Sequence, residues 1–152
     1  MSASPVATAL HREWAGDLTP ERLYALLRLR IEVFVVEQEC SYQELDGLDL
    51  HPATRHFWIA SDRKEPVAYL RLLEDPGSGF RIGRVCTAKA YRGMGLSRRL
   101  MEAALADAGD AEVILAAQVQ VADLYVAYGF VREGDSYRED GIPHIDMRRR
   151  SR

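Results

Sequence analysis

The fold is decided by the stretch Val85-Cys86-Thr87-Ala88-Lys89-Ala90-Tyr91-Arg92-Gly93-Met94-Gly95-Leu96-Ser97-Arg98-Arg99. It predicts the end of a strand, a glycine-containing turn and the start of a helix. The first N–H groups of a helix have no partner within it and lie at its positive end, so they can bind an anion. Gly93 and Gly95 lack a Cβ and let phosphate oxygens approach the backbone. Three arginines add positive charge beside them: Arg92, Arg98 and Arg99.

The spacing of these glycines excludes two common nucleotide sites. The stretch has no G-x-x-x-x-G-K-[ST] pattern, so it is not a P-loop. It also lacks the G-x-G-x-x-G pattern of a dinucleotide site. Short glycine motifs are not specific on their own, so a tight turn with a solvated basic face is the alternative interpretation.

The patterns on either side of this stretch indicate an α/β fold. Thr19-Pro20-Glu21 is a typical helix start, and apolar residues recur on one helical face behind it, so we expect a helix over residues 20–34. Residues 35–52 lose this periodicity and gather acidic side chains, which indicates a short helix and a loop. The other predicted elements are strands at 56–61, 67–74, 80–87 and 112–117, helices at 92–108 and 121–128, and a closing hairpin within 136–149.

These elements predict the order β-α-α-β-β-β-α-β-α-β-β. The middle strands are neighbours in the chain and can form an antiparallel meander. The connection from residues 80–87 to residues 112–117 passes through a helix and should be a right-handed parallel crossover. We therefore expect a mixed, mostly antiparallel sheet flanked by helices, in a single domain spanning residues 1–152.

The composition narrows the classes of protein that this chain can belong to. Its 20 basic and 23 acidic residues give a net charge of −3, which argues against a general nucleic-acid binder. It has no apolar run of the roughly 18 residues that span a bilayer and no signal-peptide pattern, so we expect a cytoplasmic protein without membrane association. Cys40 and Cys86 cannot form a disulfide framework, and the His and Cys spacings fit no metal site.

Two motifs resemble those of GNAT N-acyltransferases. Arg92-Gly93-Met94-Gly95-Leu96-Ser97 looks like the family's R-x-x-G-x-[GA] acyl-CoA pyrophosphate loop, with Ser97 in place of the usual Gly or Ala. Leu124-Tyr125-Val126-Ala127-Tyr128-Gly129-Phe130 resembles its L-Y-x-x-x-G-F segment. The predicted element order is also that of the GNAT fold. Further segments are similar to the ElaA-like branch and extend the resemblance over nearly the whole chain, among them 33–38, 46–49, 67–69, 82–85 and 139–145.

The resemblance implies an N-acetyltransferase with acetyl-CoA as donor, in which an amine attacks the thioester directly. It implies a donor site with main-chain donors for the oxyanion at the bulged end of the fourth strand. The implied donor-site residues are Val85, Cys86, Thr87, Arg92, Gly93, Met94, Gly95, Leu96, Ser97, Arg98 and Gln118, the last standing where many relatives have Asn.

The resemblance also assigns a general acid, Tyr125, which would protonate the departing thiolate. A phenol suits this role because its reference pKa of ~10 keeps it protonated at neutral pH. The alternative is that Tyr125 packs in the core. A shift of the helix register would exchange its place with that of Tyr128.

The base that would neutralise the amine is not assigned by the sequence. Many relatives have a glutamate on the fourth strand, where this chain has Phe80-Arg81-Ile82-Gly83-Arg84-Val85 and no acid. Candidates for the base or the acceptor pocket are Glu37, Cys40, Tyr42, Glu44, His56 and His144. The acidic segment 37–49 favours a cationic amine, with a solvated loop as the alternative. Cys40 is either a redox-sensitive thiol or a small buried hydrophobe, and His144 can also be a structural, hydrogen-bonded histidine.

Two other functions stay open at this point. The missing glutamate favours a non-catalytic acyl-CoA-binding or sensing module on the same fold. A structural domain whose glycine turn binds no nucleotide is the third alternative. The sequence does not tell whether the acceptor amine belongs to a small molecule, a peptide or a protein, and it identifies no interface for the homodimer that is common in this fold.

Overall fold

The computed structural model describes residues 7–40, 43–75 and 77–151. Within these residues, seven strands form one sheet in the order β1-β2-β3-β4-β5-β7-β6. The strands are β1 (Ala7–Trp14), β2 (Arg55–Ser61), β3 (Pro66–Asp75), β4 (Gly79–Thr87), β5 (Val113–Gln118), β6 (Val131–Glu139) and β7 (Ile142–Arg149). The helices are α1 (Pro20–Ile31), α2 (Leu96–Ala108) and α3 (Ala122–Val126). A π-helical segment, Glu32–Glu37, continues α1, and single 3-10 turns lie at Ala15–Asp17, Leu48–Leu50, Lys89–Tyr91 and Val119–Val121.

The sheet is mixed, as predicted. Strands β1 to β4 form an antiparallel meander, and β5, β7 and β6 form a second antiparallel group. The crossover through α2 joins the two groups, because β4 and β5 run parallel. The element order and the mixed α/β sheet predicted from the sequence are therefore confirmed.

Two helix boundaries differ from the prediction, each for a local reason. The first helix does not end near residue 34, since its last turns continue as the π-helical segment to Glu37. The helix predicted from residue 92 begins only at Leu96. Gly93 and Gly95 have φ angles of 78° and 75°, which a right-handed helix does not accept, so the glycine turn must end first.

The core lies on both faces of the central strands. Successive side chains of a strand point to opposite faces, so Phe57 and Ile59 of β2 pack in the layer under α2. Trp58 of the same strand packs with Leu26 and Leu29 on the α1 side. The helices thus cover opposite faces of the sheet, and β2 and β3 are buried on both.

Strands β4 and β5 separate soon after they meet. Among the described residues they pair only at Phe80 with Val113 and at Arg81 with Ile114. On its other side β4 carries a β-bulge, because two residues, Arg84 and Val85, lie opposite the single residue Leu70 of β3. Arg84 has a φ of 54°, in the left-handed region. The divergence opens a gap between the two strands at the centre of the sheet.

Candidate active site

A cleft of about 560 Å³ occupies the gap between β4 and β5. Its inner walls are the unpaired parts of the two strands, residues 82–87 and 115–118. The π-helical segment, the glycine turn before α2, α3 and the β6–β7 hairpin contribute the rest of its lining. The strand edges that face each other carry main-chain N–H and C=O groups without a ladder partner across the gap. An extended molecule lying in this cleft can therefore hydrogen-bond to the backbone on either side.

The glycine turn presents the start of α2 to this cleft. Gly95 is the N-cap residue of α2, in a left-handed conformation, and no side chain caps the helix. Gly93, Gly95, Leu96 and Ser97 all line the cleft. The first-turn N–H groups are therefore available to an anion, as the sequence predicts.

The arginines near this turn are engaged by other groups rather than mobile beside it. Arg92 forms a bidentate pair with Glu37, Nη1 to Oε2 at 2.6 Å and Nη2 to Oε1 at 2.8 Å, and its Nε donates to the Thr87 carbonyl oxygen at 3.1 Å. The hydrogen bond from Arg92 to Glu37, together with the Arg92 charge, lowers the pKa of the Glu37 carboxyl. Arg98 pairs with Glu102 on the exposed face of α2. Neither Arg98 nor Met94 is among the residues that line the cleft.

Tyr125 lies in the cleft wall and Tyr128 does not. The Tyr125 ring makes an edge contact with Phe130, with ring centroids 6.3 Å apart, and its hydroxyl has no hydrogen-bond partner among the described residues. Burial, and then the neighbouring Tyr128, raise the pKa of Tyr125 to about 12. The phenol is therefore protonated at neutral pH, and it belongs to the cleft lining.

The acids of residues 44–49 do not form the predicted pocket for a cation. Each is matched with arginines in one buried network of alternating charge: Arg30 with Glu44 and Asp49 at 2.7 and 2.6 Å, Arg71 with Asp46 and Asp49 at 2.5 and 3.1 Å, and Arg84 with Glu44 and Asp46 at 3.1 and 3.3 Å. Glu44 does not line the cleft. The structure therefore does not bring Glu44 to the acceptor side of the cleft, because Arg30 and Arg84 hold its carboxylate behind the cleft wall.

The network nevertheless supports the cleft from behind. Arg84 is a bulge residue of β4, and its guanidinium donates hydrogen bonds to Glu44 and Asp46, which lie in the loop before β2. Burial opposes the charge of Asp46, but the Arg71 hydrogen bonds hold the pKa of Asp46 well below its usual range. The ionised network therefore pins the loop to the bulge that shapes the cleft.

The two candidate histidines have different surroundings. His56 is buried outside the cleft, with Nδ1 2.6 Å from the Tyr69 hydroxyl and Nε2 2.9 Å from the Asp49 carbonyl oxygen. Burial lowers the pKa of His56. Both ring nitrogens are engaged outside the cleft lining, so the structure does not bring this candidate to the acceptor. His144 does line the cleft, from β7.

The remaining predicted residues lie around the same opening. Gln118 donates to the Gln38 side-chain oxygen at 3.3 Å, which connects β5 with the end of the π-helical segment. Cys40 and Cys86 line the cleft but are buried, and burial raises the pKa of Cys40 and raises the pKa of Cys86 to about 12. These thiols are protonated, which favours the small-hydrophobe interpretation of Cys40 over the redox-sensitive one. Tyr42 lies outside the described residues.

Two acidic residues of the cleft wall were not predicted as site residues. Glu139 and Asp140 line it from the β6–β7 hairpin. The signal for them was the Asp140-Gly141 turn, whose φ angles of 50° and 78° fit the tight turn that joins two strands. The sequence predicts only a closing hairpin within residues 136–149, because the position of its turn against the cleft depends on strand order.

Two features are absent from the described residues. None of their helices is long and apolar enough to cross a membrane. They contain no group of three or more His, Cys, Asp or Glu side chains arranged to hold a metal ion.

Known proteins are similar to this chain in sequence and in structure. Residues 15–151 match the family described as "Acetyltransferase (GNAT) domain". The chain is 51% identical over 144 residues to a UPF0039 protein of Mycobacterium tuberculosis (strain ATCC 25618 / H37Rv), covering 93% of this chain and 92% of that protein. It is 42% identical over 140 residues to the protein ElaA of Escherichia coli (strain K12), covering 88% and 91%. The crystal structure of an acyl-CoA N-acyltransferase from Pseudomonas aeruginosa has a TM-score of 0.87 and 49% identity, covering 93% and 98%.

The fold is that of an acyltransferase, and the chain belongs to the GNAT family. The crystal structure of Escherichia coli ElaA has a TM-score of 0.85 and 38% identity, covering 93% of this chain and 98% of that one. Together with the sequence similarity to ElaA, this places the chain in the ElaA-like branch. The family resemblance read from the glycine turn and the LYVAYGF segment is thereby confirmed.

Proposed function

We propose that this protein transfers an acetyl group from acetyl-CoA to an amine, with Tyr125 as general acid. The observation that carries the proposal is the composition of the cleft. One long opening joins the start of α2, the inner edges of β4 and β5, and the unpartnered Tyr125 hydroxyl. An acyl-CoA donor has an anionic end, an extended arm and a thioester. These three parts would require the helix start, the strand edges and the phenol, respectively.

The main chain holds most of the proposed donor site. The N–H groups at Gly93, Gly95, Leu96 and Ser97 suit the pyrophosphate, because helix N-termini attract anions. The Arg92 side chain contributes by tying the glycine turn to Glu37 rather than by contacting phosphate. The backbone of Val85, Cys86 and Thr87 accompanies the arm and supplies the donor for the oxyanion that forms when the amine attacks.

Tyr125 would supply the proton that the departing thiolate needs. Its pKa of about 12 belongs to a phenol that is buried without a partner. A thiolate leaving in the same buried cleft is also poorly solvated, so its own proton affinity rises with that of the phenol. A hydroxyl that is always protonated and already free of partners donates without first breaking a hydrogen bond.

A second candidate function, a non-catalytic acyl-CoA-binding or sensing module, has one observation in its favour. Strand β4 carries no acidic residue at all, so a carboxylate base on that strand is missing. Acceptor turnover separates the two functions, since a binding module holds the donor but releases no CoA.

The first experiment is thermal unfolding with acetyl-CoA, with ATP and NAD as controls. A ligand at 100 times its Kd stabilises the native state by about 2.7 kcal/mol, which raises Tm by several degrees for a chain of this size at roughly 2–4 °C per kcal/mol. No shift with acetyl-CoA would remove the donor site and the proposed function with it.

The second experiment tests the acid. Tyr125→Phe should lower amine-dependent CoA release by about 10²-fold or more, as loss of a general acid does. Tyr128→Phe is the matched control, because Tyr128 is three residues on and outside the cleft lining. Both variants should keep the acetyl-CoA shift in Tm. Equal activities of the two variants would exclude Tyr125 as the acid, and wild-type binding without any CoA release would favour the sensing module.

Several properties stay predictions. These are that residues 1–152 form a single domain, that the protein is cytoplasmic and uses no metal, and that it acts on neither nucleic acid nor membranes. The homodimer is likewise a prediction. Size-exclusion chromatography with light scattering would determine the oligomeric state.

A further inference from the structure

The β6–β7 hairpin brings a histidine to the cleft wall that the proposed mechanism has not yet used. His144 of β7 lies opposite Gln118 of β5 and opposite Tyr137 of β6. Its imidazole is stacked on the Tyr137 ring, with centroids 6.2 Å apart and planes 23° apart. The Tyr137 hydroxyl donates to Asp146 at 2.6 Å, which anchors the ring beneath the imidazole. The orientation of His144 is therefore fixed by packing.

A hydrogen bond determines which nitrogen of His144 is basic. Nδ1 lies 2.8 Å from the carbonyl oxygen of Ile142. A carbonyl oxygen only accepts hydrogen bonds, so Nδ1 must carry the proton of the neutral ring. The lone pair then resides on Nε2. The local backbone thus prepares His144 as a proton acceptor at Nε2.

The group that faces Nε2 is a carboxylate. Oε2 of Glu139 lies 3.9 Å from Nε2, too far for a hydrogen bond. In the neutral ring both atoms are acceptors, so they have no attractive contact with each other. A group that donates to both at once resolves this arrangement, and an ammonium does so because it has three N–H donors and no acceptor.

The cleft is lined by two carboxylates of the hairpin, Glu139 and Asp140, and by the guanidinium of Arg81 from β4, whose charge also acts on Tyr137. The two carboxylates outweigh this one cation, which favours the same occupant. Glu37 is neutralised by Arg92, and the acids of the buried network are matched with arginines. Glu139 has no arginine or lysine ion pair among the described residues, and it lies on the exposed part of the hairpin. Its negative charge is thus available at the cleft wall. A cation entering the cleft would be attracted to this end.

We propose that His144 is the general base for the acceptor and that its Nε2, together with the Glu139 carboxylate, receives the ammonium group of a primary amine. This inference rests on the proposed function, since only a transferase has an acceptor. It also accounts for the absence of an acid on β4, because the base comes from β7 across the cleft. Glu139 is a positioning residue, whose carboxylate would hold the ammonium group beside Nε2.

The proton balance of the reaction closes with these groups. A primary alkylamine with a pKa of ~10.4 enters protonated, and Nε2 takes one proton to leave a neutral amine. The amine nitrogen forms a bond to the thioester carbon, and the bond from that carbon to sulfur breaks. Sulfur takes the Tyr125 proton, and the surplus proton of the new amide nitrogen returns through solvent to the Tyr125 phenolate. The imidazolium of His144 gives its proton to solvent, so one proton is released per turnover.

The test compares two amines of nearly equal size. Ethylamine is protonated at neutral pH, whereas 2,2,2-trifluoroethylamine is mostly neutral because its fluorines withdraw electron density. His144→Gln should lower kcat/KM for ethylamine by about 10²-fold or more, as loss of a general base does. The loss with trifluoroethylamine should be much smaller, because that amine arrives without the proton. Glu139→Gln should raise KM for ethylamine several-fold and leave kcat nearly unchanged.

The controls separate catalysis from structure. His51→Gln alters an exposed histidine outside the cleft lining and should leave both amines unaffected. All variants should keep the wild-type Tm shift with acetyl-CoA, and the acid limb of the wild-type pH–rate profile for ethylamine should disappear in His144→Gln. Equal losses with the two amines, or an unchanged pH profile, would overturn the assignment of His144. Wild-type protein that binds acetyl-CoA but acetylates neither amine would overturn the ammonium site while leaving the donor site intact.

Discussion

The buried charge network behind the cleft predicts a large loss of stability when its central cation is removed. Arg30 of α1 is fully buried and donates to the Glu44 carboxylate, to the Asp49 carboxylate and to the Glu44 carbonyl oxygen at 3.0 Å. Its guanidinium also lies over the Tyr69 ring, 5.5 Å from the centroid. The change is Arg30→Met, which keeps most of the side-chain length and removes the charge and the donors.

The size of the effect follows from what remains in place. Glu44 and Asp49 are 4% and 6% exposed, so their charges would be left in a poorly solvated environment. Removing one partner of a buried ion pair costs about 3–5 kcal/mol. Arg84 still holds Glu44 and Arg71 still holds Asp49, which favours the lower end. A loss of about 3 kcal/mol corresponds to a fall in Tm of roughly 6–12 °C at 2–4 °C per kcal/mol.

Thermal unfolding followed by circular dichroism measures this loss. The matched control is Arg132→Met, because Arg132 pairs with Asp123 at the surface, where the Asp123 side chain is 90% exposed. Exposed ion pairs contribute about 0–1 kcal/mol, so this control should lower Tm by at most about 4 °C at 2–4 °C per kcal/mol. Equal shifts in the two variants would refute the reasoning, since the network would then contribute no more than a surface pair.

The pH dependence provides a second check of the same network. Burial disfavours the charged form of Asp49, but the hydrogen bond from Arg30 outweighs it and holds the pKa of Asp49 below its usual value. A carboxyl with a lowered pKa in the folded state stabilises the protein above its unfolded pKa of ~3.9 and loses this contribution as the pH falls below that value. The difference in stability between wild type and Arg30→Met should therefore shrink toward pH 3. A constant difference would contradict the ionic origin of the effect.

Three further predictions concern the turn, the thiols and the buried histidine. Gly95→Ala should lower the free energy of unfolding by about 1–2 kcal/mol, because φ is 75° at this residue, and it should weaken the acetyl-CoA shift in Tm. Gly16→Ala is the control, since an added Cβ meets open space there, and it should lower stability less. Equal losses would argue against a requirement for the left-handed conformation at Gly95. Cys40 and Cys86 should resist iodoacetamide at neutral pH and react after unfolding in urea, because burial raises the pKa of both thiols. Mass spectrometry counts the alkylated thiols, and rapid alkylation of the folded protein would contradict this prediction. Burial lowers the pKa of His56, so the unfolded state binds a proton more readily than the folded state. The free energy of unfolding should therefore decrease as the pH falls through the unfolded pKa of ~6.5, by at most about 1.4 kcal/mol per pH unit. Denaturant titrations at several pH values should show a smaller dependence of stability on pH for His56→Gln, and an unchanged dependence would exclude His56 as its source.

The fold could be predicted from the sequence because its signals are local. Thr19-Pro20 starts a helix, and in the structure Thr19 accepts a hydrogen bond from the Arg22 amide, as an N-cap residue does. A strand followed by a glycine turn and an amphipathic helix predicts a parallel crossover, and β4, α2 and β5 form one. The predicted start of α2 lies four residues too early, at residue 92 instead of Leu96. The apolar periodicity that predicts this helix does not reveal the positive φ angles of Gly93 and Gly95.

The candidate site was only partly predictable, because its charges pair over long distances in the chain. Arg30 and Glu44 are 14 positions apart and Arg84 and Glu44 are 40 apart, so no spacing rule shows that these acids are neutralised inside the protein. The same limit applies to the two histidines. Both follow or occupy strands in the sequence, and only the strand order shows that His56 is enclosed while His144 faces the cleft.

The inner edges of β4 and β5 also bear on how such a protein can diversify. A side chain can be exchanged by one mutation, but the N–H and C=O groups of a strand edge persist in every sequence that keeps the strands apart. A partner recognised along these edges is therefore retained while the surrounding residues drift. The β6–β7 hairpin, which lies outside the central pair and ends in a two-residue turn, can change its length and charge without moving that groove. In descendants of this chain, we therefore expect changes in substrate preference to arise first from substitutions in the hairpin, while the cleft between β4 and β5 stays unaltered.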